Sequence, residues 1–239
     1  MANKKNKNKL YPPQLNFINP SSVRIKSVRL TEKQKHFLNI ALDPQTNIIF
    51  INGPAGSTKT FMAVYAALCH LSNNPDLDLL YVRTIIESAD KGIGALPGAV
   101  EEKFNPYMAP LNDKLTELLP SNTTIKRELI EQNRVQAIPI NFLRGANWIN
   151  QIVVADEAQN FSYKELVTLI TRIGKGTKLF VCGDFMQSDI NGKSGFKQIT
   201  NLFNDSQSRA EGIHCFTFNA QDIKRSKILK YIISRLEKV

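Results

Sequence analysis

The chain has 239 residues, of which 42% are apolar, and its 31 basic and 21 acidic residues give a formal net charge of +10. The length suits one large domain or two small ones, and the composition is that of a globular protein. The longest apolar helical stretch, residues 61–71, is shorter than the roughly 20 residues of a bilayer span, and the charged N-terminus lacks a signal-peptide core, so we predict a cytoplasmic protein with no membrane partner.

The first 30 residues are basic and carry no periodic apolar pattern. Lysines at positions 4, 5, 7 and 9 precede the stretches YPPQ and NPSS, which predicts a flexible tail and linker over residues 1–30. Further basic residues follow as far as Lys35 and again near the C-terminus. This excess favours polyanionic partners, nucleic acid in particular. Solvated surfaces, or a nucleotide as the only anionic partner, are the alternative explanation.

Residues 31–239 are interpreted as a single domain in which short apolar runs alternate with helical patterns. Strands are predicted at 47–53, 77–84, 151–156, 178–184 and 213–218, and helices at 30–42, 58–72, 163–173 and 228–236. This alternation predicts an α/β fold with a parallel sheet covered by helices on both faces. The interval from about 86 to 150, with a weak strand around VQAIPINFL, breaks the rhythm and is interpreted as an insertion.

The stretch INGPAGSTKTF, residues 51–61, is similar to the phosphate-binding pattern G-x-x-x-x-G-K-[ST]. It follows a predicted strand and opens a predicted helix, so its backbone N–H groups would face an anion. Lys59 would reach the β- and γ-phosphates of a nucleotide, and the Thr60 hydroxyl would hold Mg²⁺. The predicted nucleotide-contacting residues of the loop are Gly53, Pro54, Ala55, Gly56, Ser57, Thr58, Lys59, Thr60 and Phe61. The alternative is a turn of small residues before an amphipathic helix.

Two later strands also end in polar residues. IVVADEAQN, residues 152–160, places two carboxylates at the edge where α/β sheets bind ligands. Asp156 is expected to orient Mg²⁺ through its water shell, and Glu157 to polarise the attacking water. In LFVCGDFMQSD, residues 179–189, the Gln187 amide can donate to the γ-phosphate and accept from the water. A tight turn capped by Asp184 is the structural alternative.

The cysteines and histidines do not suggest a metal site. Cys69, Cys182 and Cys215 lie far apart, with no C-x-x-C pair, and the three histidines show no ligand spacing. The cysteines are therefore interpreted as small buried thiols in a reducing compartment rather than as zinc ligands.

Together these elements resemble the PhoH family of P-loop ATPases, itself similar to the motor core of superfamily 1 helicases. The resemblance covers roughly residues 31–236 and rests on the stretches TEKQ, GPAGSTKT, KGIGALPGAVEEKFNPYMAPLNDKL, NFLRG, VVADEAQN, TRIGKGTKLFVCGDFMQSDI and DIKRSKILKYI. It implies a single RecA-like core that hydrolyses ATP with Mg²⁺ and acts on nucleic acid.

The resemblance also implies roles for residues elsewhere in the chain. Gln34 matches a glutamine that reads the adenine edge, with a solvent-facing helix position as the alternative. Arg172 of TRIG and Arg225 of DIKRS are candidates for an arginine finger, which stabilises charge on the transferring phosphate. Each could equally be an exposed charge at a helix end. Arg83 and Arg144 allow a contact either to the site or to nucleic acid.

Thr58 departs from the family pattern, which has glycine before the lysine. Glycine avoids Cβ crowding against phosphate and accepts positive φ, whereas a β-branched residue at positive φ is an outlier. At negative φ, threonine would fit with mild crowding. Because Lys59 and Thr60 are retained, we expect a functional but slower site, and we expect Thr58→Gly to maintain or raise ATP turnover.

A single core leaves the arginine finger to come from the chain folding back or from a neighbouring subunit. A head-to-tail interface that closes gives a ring, so we expect a cyclic homo-oligomer, with a hexamer as the family-like number. Its basic segments would bind single-stranded RNA or DNA through phosphates, and the sequence favours neither nucleic acid.

Two other functional classes stay open. A nucleotide-gated binding module would bind ATP, change its oligomeric state and hydrolyse little, and Thr58 favours it. A small-molecule kinase could use the same loop, but DEAQ and GD-x-x-Q serve water rather than an acceptor hydroxyl. A nuclease is disfavoured because no separate carboxylate cluster suggests a second metal site.

Overall fold

Six parallel strands form the centre of the protein. The computed structural model describes residues 23–84, 100–143, 147–187, 190, 193–223 and 227–236, with only the backbone described for residues 100–107 and for parts of 227–236. The strands are β1 (Ile48–Asn52), β2 (Asp78–Arg83), β3 (Val135–Pro139), β4 (Gln151–Ala155), β5 (Lys178–Gly183) and β6 (Ile213–Thr217). They form one sheet in the order β3-β2-β4-β5-β1-β6, and every pair is parallel.

Eight helices connect or flank these strands in the described part of the chain. They are α1 (Glu32–Leu42), α2 (Lys59–Asn73), α3 (Val100–Leu118), α4 (Ile125–Glu131), α5 (Tyr163–Ile170), α6 (Phe196–Leu202), α7 (Ser206–Ala210) and α8 (Lys227–Leu236). None of them is both long and apolar enough to cross a bilayer. The predicted strands and helices are thus present, with boundaries that differ by a few residues.

Each face of the sheet buries its own hydrophobic core. Successive strand residues point to opposite faces, so Val154 packs in a core with α1, α2, α3 and α4, while Val153 packs in a second core with α5 and α6. Because both faces are covered, the strands are continuously apolar rather than alternating. This is the predicted α/β architecture, a parallel sheet covered by helices on both faces.

The strand order brings the predicted site elements to one edge of the sheet. β1 precedes the phosphate loop, β4 precedes the carboxylates, and β5 lies between them and pairs with both. Asn52 is opposite Gly183, and Ala155 is opposite Val181. The three carboxyl ends are therefore almost level, so the residues that follow them share one edge.

Two regions differ from the sequence prediction. Residues 23–30, predicted to lie in a flexible linker, instead pack on the first core. Val23 is 2% exposed, and the Lys26 N–H donates to the Leu118 carbonyl over 2.7 Å. The segment packs there because its four apolar side chains lie in or against this core: Val23, Ile25, Val28 and Leu30. Within the predicted insertion, β3 pairs with β2 along its whole length and so forms an edge strand of the sheet itself.

Candidate functional site

The phosphate loop is a tight turn between β1 and α2. At Gly53 an added Cβ would lie 2.8 Å from Ser57 Oγ and 2.9 Å from the Phe218 carbonyl oxygen, so only glycine fits there. The buried Ser57 hydroxyl has no hydrogen-bond partner among the described residues. Buried hydroxyls are normally paired, and an oxygen of a bound phosphate would supply the missing partner.

The Lys59 side chain folds back onto the phosphate loop to which it belongs. Its Nζ donates to the Gly53 carbonyl over 2.5 Å and to the Pro54 carbonyl over 3.0 Å. The amino group is thereby held at the mouth of the loop, at the N-terminus of α2. To bind the β- and γ-phosphates as predicted, it must exchange carbonyl oxygens for phosphate oxygens.

Thr58 adopts a left-handed backbone conformation, with φ +68°. The sequence allowed either a strained positive φ or an unstrained negative φ at Thr58, and the structure shows the positive φ. Four non-glycine residues in the described chain have positive φ, and Thr58 is the only β-branched member of that set. Such a conformation costs about 1–3 kcal/mol. The Thr58 Oγ1 accepts a hydrogen bond from Gln34 Nε2 over 2.9 Å, which ties the residue to α1.

Gln34 lies behind the loop and is 1% exposed. Its Oε1 accepts from the Thr31 N–H over 3.0 Å, and the Gln34 N–H donates to Thr31 Oγ1 over 3.2 Å. Thr31 and Gln34 thus form a capping box that starts α1. The solvent-facing alternative for Gln34 is wrong, because the side chain is buried between the helix start and the loop.

The predicted Mg²⁺ residues lie together. Thr60 Oγ1 donates to Asp156 Oδ1 over 2.6 Å, and Asp156 is 5% exposed. The other carboxylate oxygen, Oδ2, accepts from the hydroxyl of Tyr81. Mg²⁺ is usually held by one or two carboxylates together with substrate phosphates, so Thr60 and Asp156 fit this ion beside a nucleotide.

Tyr81 was missed by sequence analysis. It lies on β2 opposite Val154 of β4, so its side chain shares a face with Asp156, two residues after Val154. The ring is fully buried. Burial, followed by the nearby Asp156 charge, raises the Tyr81 pKa far above its usual value, so the phenol stays protonated and acts as a donor. The available sign in the sequence was a tyrosine hydroxyl within the apolar run LLYV, near the end of this strand.

Glu157 is held in place by two neighbouring side chains. Its backbone has φ +55°, and its Oε2 accepts from Gln159 Nε2 over 2.5 Å. Its Oε1 lies 3.7 Å from an Arg83 guanidinium nitrogen in a partly exposed ion pair. Gln159 also accepts, through Oε1, from the Asp184 N–H over 3.1 Å. Gln159 therefore links the second carboxylate to the end of β5, a role that sequence analysis did not assign.

A cavity of about 640 Å³ joins these elements. A volume of 300–1,000 Å³ is typical of ligand sites. Its lining includes the loop from Ala55 to Phe61, the two carboxylates, and Arg83, Gln159, Asp184 and Gln187. The opposite wall comes from α3, with Asp113, Lys114 and Glu117. These α3 residues lie in the predicted insertion and were not recognised as site residues.

Of the two predicted arginine fingers, the described structure includes Arg172, and it does not bring that residue to this cavity. Arg172 follows α5, and its carbonyl accepts from the Trp148 N–H over 3.0 Å. Trp148 lies just before β4, so Arg172 is at the amino ends of the strands. At about 3.3 Å per residue, the five residues of β4 separate the two edges by roughly 15 Å. Arg172 therefore lies away from the cavity. Arg225 and Arg144 lie outside the described residues.

Comparisons with known proteins give one consistent family. Residues 26–237 match the family model described as PhoH-like protein. The chain is 32% identical over 194 residues to a PhoH-like protein of Synechocystis, covering 80% of this chain and 57% of that protein. It is 30% identical over 214 residues to a PhoH-like protein of Bacillus subtilis, covering 89% of this chain and 65% of that protein. The chain thus spans roughly three fifths of the length of these relatives.

Among solved structures, the Pif1 helicase from Candida albicans is similar to this chain at 15% sequence identity and a TM-score of 0.39. The match covers 81% of this chain and 40% of that one.

Proposed function

The chain belongs to the PhoH-like protein family, and we propose that it is a Mg²⁺-dependent ATPase whose turnover is coupled to single-stranded nucleic acid. The observation that carries the proposal is the 2.6 Å hydrogen bond between Thr60 Oγ1 and Asp156 Oδ1. It places the last residue of the phosphate loop against the first carboxylate, and both line the same cavity. The phosphate loop, the proposed Mg²⁺ ligands Thr60 and Asp156, and the proposed water-activating residue Glu157 would then surround one cavity.

Each side chain has a defined task in this reaction. Bound Mg²⁺ would neutralise charge on the β- and γ-phosphates. Thr60 and Asp156 would hold it, and Lys59 would bind the phosphate oxygens. Glu157 would orient a water for in-line attack on the γ-phosphorus and accept its proton as the bond to the β-phosphate oxygen breaks. Gln159 fixes the Glu157 carboxylate, and Gln187, which also lines the cavity, can contact the γ-phosphate.

The test compares the intact protein with Glu157→Gln. General-base residues typically contribute 10²–10⁴-fold, so turnover should fall by at least about 100-fold. ATP binding should be retained, because the loop and the Mg²⁺ ligands are unchanged. A fluorescent ATP analogue measures binding, and phosphate release measures turnover.

A nucleotide-gated binding module is the second candidate. The strain at Thr58 and the Lys59 amino group held by loop carbonyls favour it, since both would slow the closing of the loop around phosphate. Equal, low turnover in the intact protein and in Glu157→Gln, together with ATP-dependent changes in mass, would support the module.

Nucleic-acid coupling and a ring are parts of the same proposal. The net charge of +10 supports a polyanionic partner. Arg172 lies at the sheet edge opposite the cavity, so as an arginine finger it would have to act on a neighbouring copy. ATPase activity should rise with single-stranded RNA or DNA, and the mass in solution should be that of an oligomer, with six copies expected. An inert monomer would overturn both parts.

A further inference from the structure

Arg83 is the last residue of β2 and lies at the same sheet edge as the two carboxylates. Val82 is opposite Ala155 of β4, and the Val82 carbonyl accepts from the Asp156 N–H over 2.9 Å. The Arg83 side chain therefore starts beside the metal side of the candidate site. This side chain is 25% exposed, and it lines the cavity together with the phosphate loop.

The Arg83 guanidinium has hydrogen-bonding capacity that its described contact does not use. An arginine presents five N–H donors in a rigid planar fork. The ion pair with Glu157 Oε1 spans 3.7 Å, which is longer than a hydrogen bond. It therefore balances charge while the N–H donors remain available to a further acceptor. The planar fork matches the oxygens of a phosphate group, to which it can donate two parallel hydrogen bonds.

The strand order indicates which part of a nucleotide Arg83 would meet. The phosphate loop follows β1, and both β5 and β4 lie between β1 and β2. Three spacings between neighbouring strands place the end of β2 roughly 14 Å from the start of the loop. Glu157, proposed to orient the attacking water, follows β4 and lies between the loop and Arg83. A triphosphate held by the loop would therefore extend its γ-phosphate towards Glu157 and Arg83.

We propose that Arg83 is a phosphate-binding residue that donates hydrogen bonds to the γ-phosphate of a nucleotide bound by the same chain. The γ-phosphate takes the place of Glu157 as the main partner of the guanidinium, while Gln159 still holds the Glu157 carboxylate. The inference rests on the proposed function and names the group by which the site distinguishes a nucleoside triphosphate from a diphosphate. Unlike an arginine finger at Arg172, this contact needs no neighbouring copy.

Nucleotide affinities in the Glu157→Gln background test the inference. This background should bind ATP with little hydrolysis, and it lacks the carboxylate that pairs with Arg83, so an effect of Arg83→Met cannot pass through the ion pair. Equilibrium competition against a fluorescent ATP analogue, with Mg²⁺, gives the dissociation constants for ATP and ADP. Adding Arg83→Met should weaken ATP binding by at least about tenfold, the loss expected for a hydrogen bond to a charged group, and ADP binding by less than about twofold.

Arg127→Met in the same background is the matched control. Arg127 also pairs with a glutamate, Glu131, over 3.6 Å, but it lies on α4 and outside the cavity lining, so both affinities should stay unchanged. Thermal melting verifies that the variants are folded. If Arg83→Met does not fold, Arg83→Lys replaces it. Lysine keeps the charge and loses the planar fork, so it should bring a smaller loss that is still selective for ATP.

An equal change in the affinities for ATP and ADP, or no change in either, would overturn the inference. Weaker binding of a single-stranded oligonucleotide with unchanged ATP affinity would also overturn it, and would assign Arg83 to nucleic acid instead. In each of these cases ATP binding by the intact protein, and hence the proposed function, would stand. Failure of the intact protein to bind ATP would overturn the proposed function itself.

Discussion

The two halves of the candidate site differ in how completely their polar groups are satisfied. On the metal side, both oxygens of Asp156 accept hydrogen bonds, from Thr60 and from Tyr81. On the phosphate side, Ser57 Oγ lacks a partner within the described chain and Thr58 is strained.

The contrast shows where the protein is pre-organised and where binding must rearrange it. The Asp156 carboxylate is fixed at both of its oxygens, so the proposed Mg²⁺ would bind with little movement of this side chain. In the loop, by contrast, the Ser57 hydroxyl would gain its hydrogen bond only from a bound anion. We therefore expect substitutions of Asp156 and Tyr81 to change ATP turnover and its Mg²⁺ dependence more than substitutions of Thr58 do.

The largest effect should come from Asp156→Asn. The amide keeps the shape of the side chain but removes the charge that Mg²⁺ requires. Turnover should fall by more than about 100-fold. This exceeds the 10–100-fold loss that is typical when a residue hydrogen-bonded to a metal ligand is replaced. Phosphate release over a Mg²⁺ titration measures it. Turnover close to that of the intact protein would show that Asp156 does not hold the ion.

Tyr81→Phe should have the next largest effect. It removes one hydrogen bond to Asp156 and leaves the buried ring in place, so stability should fall by about 1 kcal/mol. The Mg²⁺ concentration for half-maximal turnover should rise about tenfold. Mn²⁺ binding followed by electron paramagnetic resonance gives a readout independent of activity.

Tyr163→Phe is the matched control for Tyr81→Phe, because Tyr163 is 43% exposed and lies outside the cavity lining. It should leave Mg²⁺ dependence unchanged. If Tyr81→Phe lowered stability without moving the Mg²⁺ dependence, Tyr81 would be only a packing residue.

Thr58→Gly should have a smaller effect on stability. Relief of the left-handed strain is offset by the lost Gln34 hydrogen bond and by the flexibility of glycine, so the free energy of unfolding should change by less than about 1 kcal/mol. Turnover should be maintained or raised by a few-fold. Thr58→Ala keeps the strain and loses the hydroxyl, so it should be less stable than Thr58→Gly by about 1 kcal/mol. A large loss of turnover in Thr58→Gly would contradict the idea that Thr58 slows the site.

The smallest effect concerns Cys182, a free thiol at the end of β5. Burial, then the nearby Asp156 charge, raises the Cys182 pKa well above its usual value. Because the thiolate is the reactive form, iodoacetamide at mildly alkaline pH should not modify Cys182 until the protein is unfolded in urea. Modification of the folded protein at the rate of a free thiol would show that this edge of the sheet opens.

Much of the fold and part of the site could be predicted from sequence. Continuous apolar runs predicted β1, β4 and β5, and the polar residues after them predicted Lys59, Thr60, Asp156 and Glu157 as neighbours. These predictions depend on local pattern and on the rule that parallel strands end at one edge. The α3 wall of the cavity was not predicted, because nothing local in that stretch marks which side of the helix faces the loop.

The sequence by itself thus determined which groups are available at the candidate site, because the residues proposed to bind phosphate and metal lie in short contiguous stretches. Only the tertiary structure decided how those groups are held. The contact of Tyr81 with Asp156 depends on the register of β2 against β4. The contact of Gln34 with Thr58 depends on where α1 begins relative to the loop. Both join residues far apart in the chain, so their partners are set by packing and strand pairing rather than by local sequence.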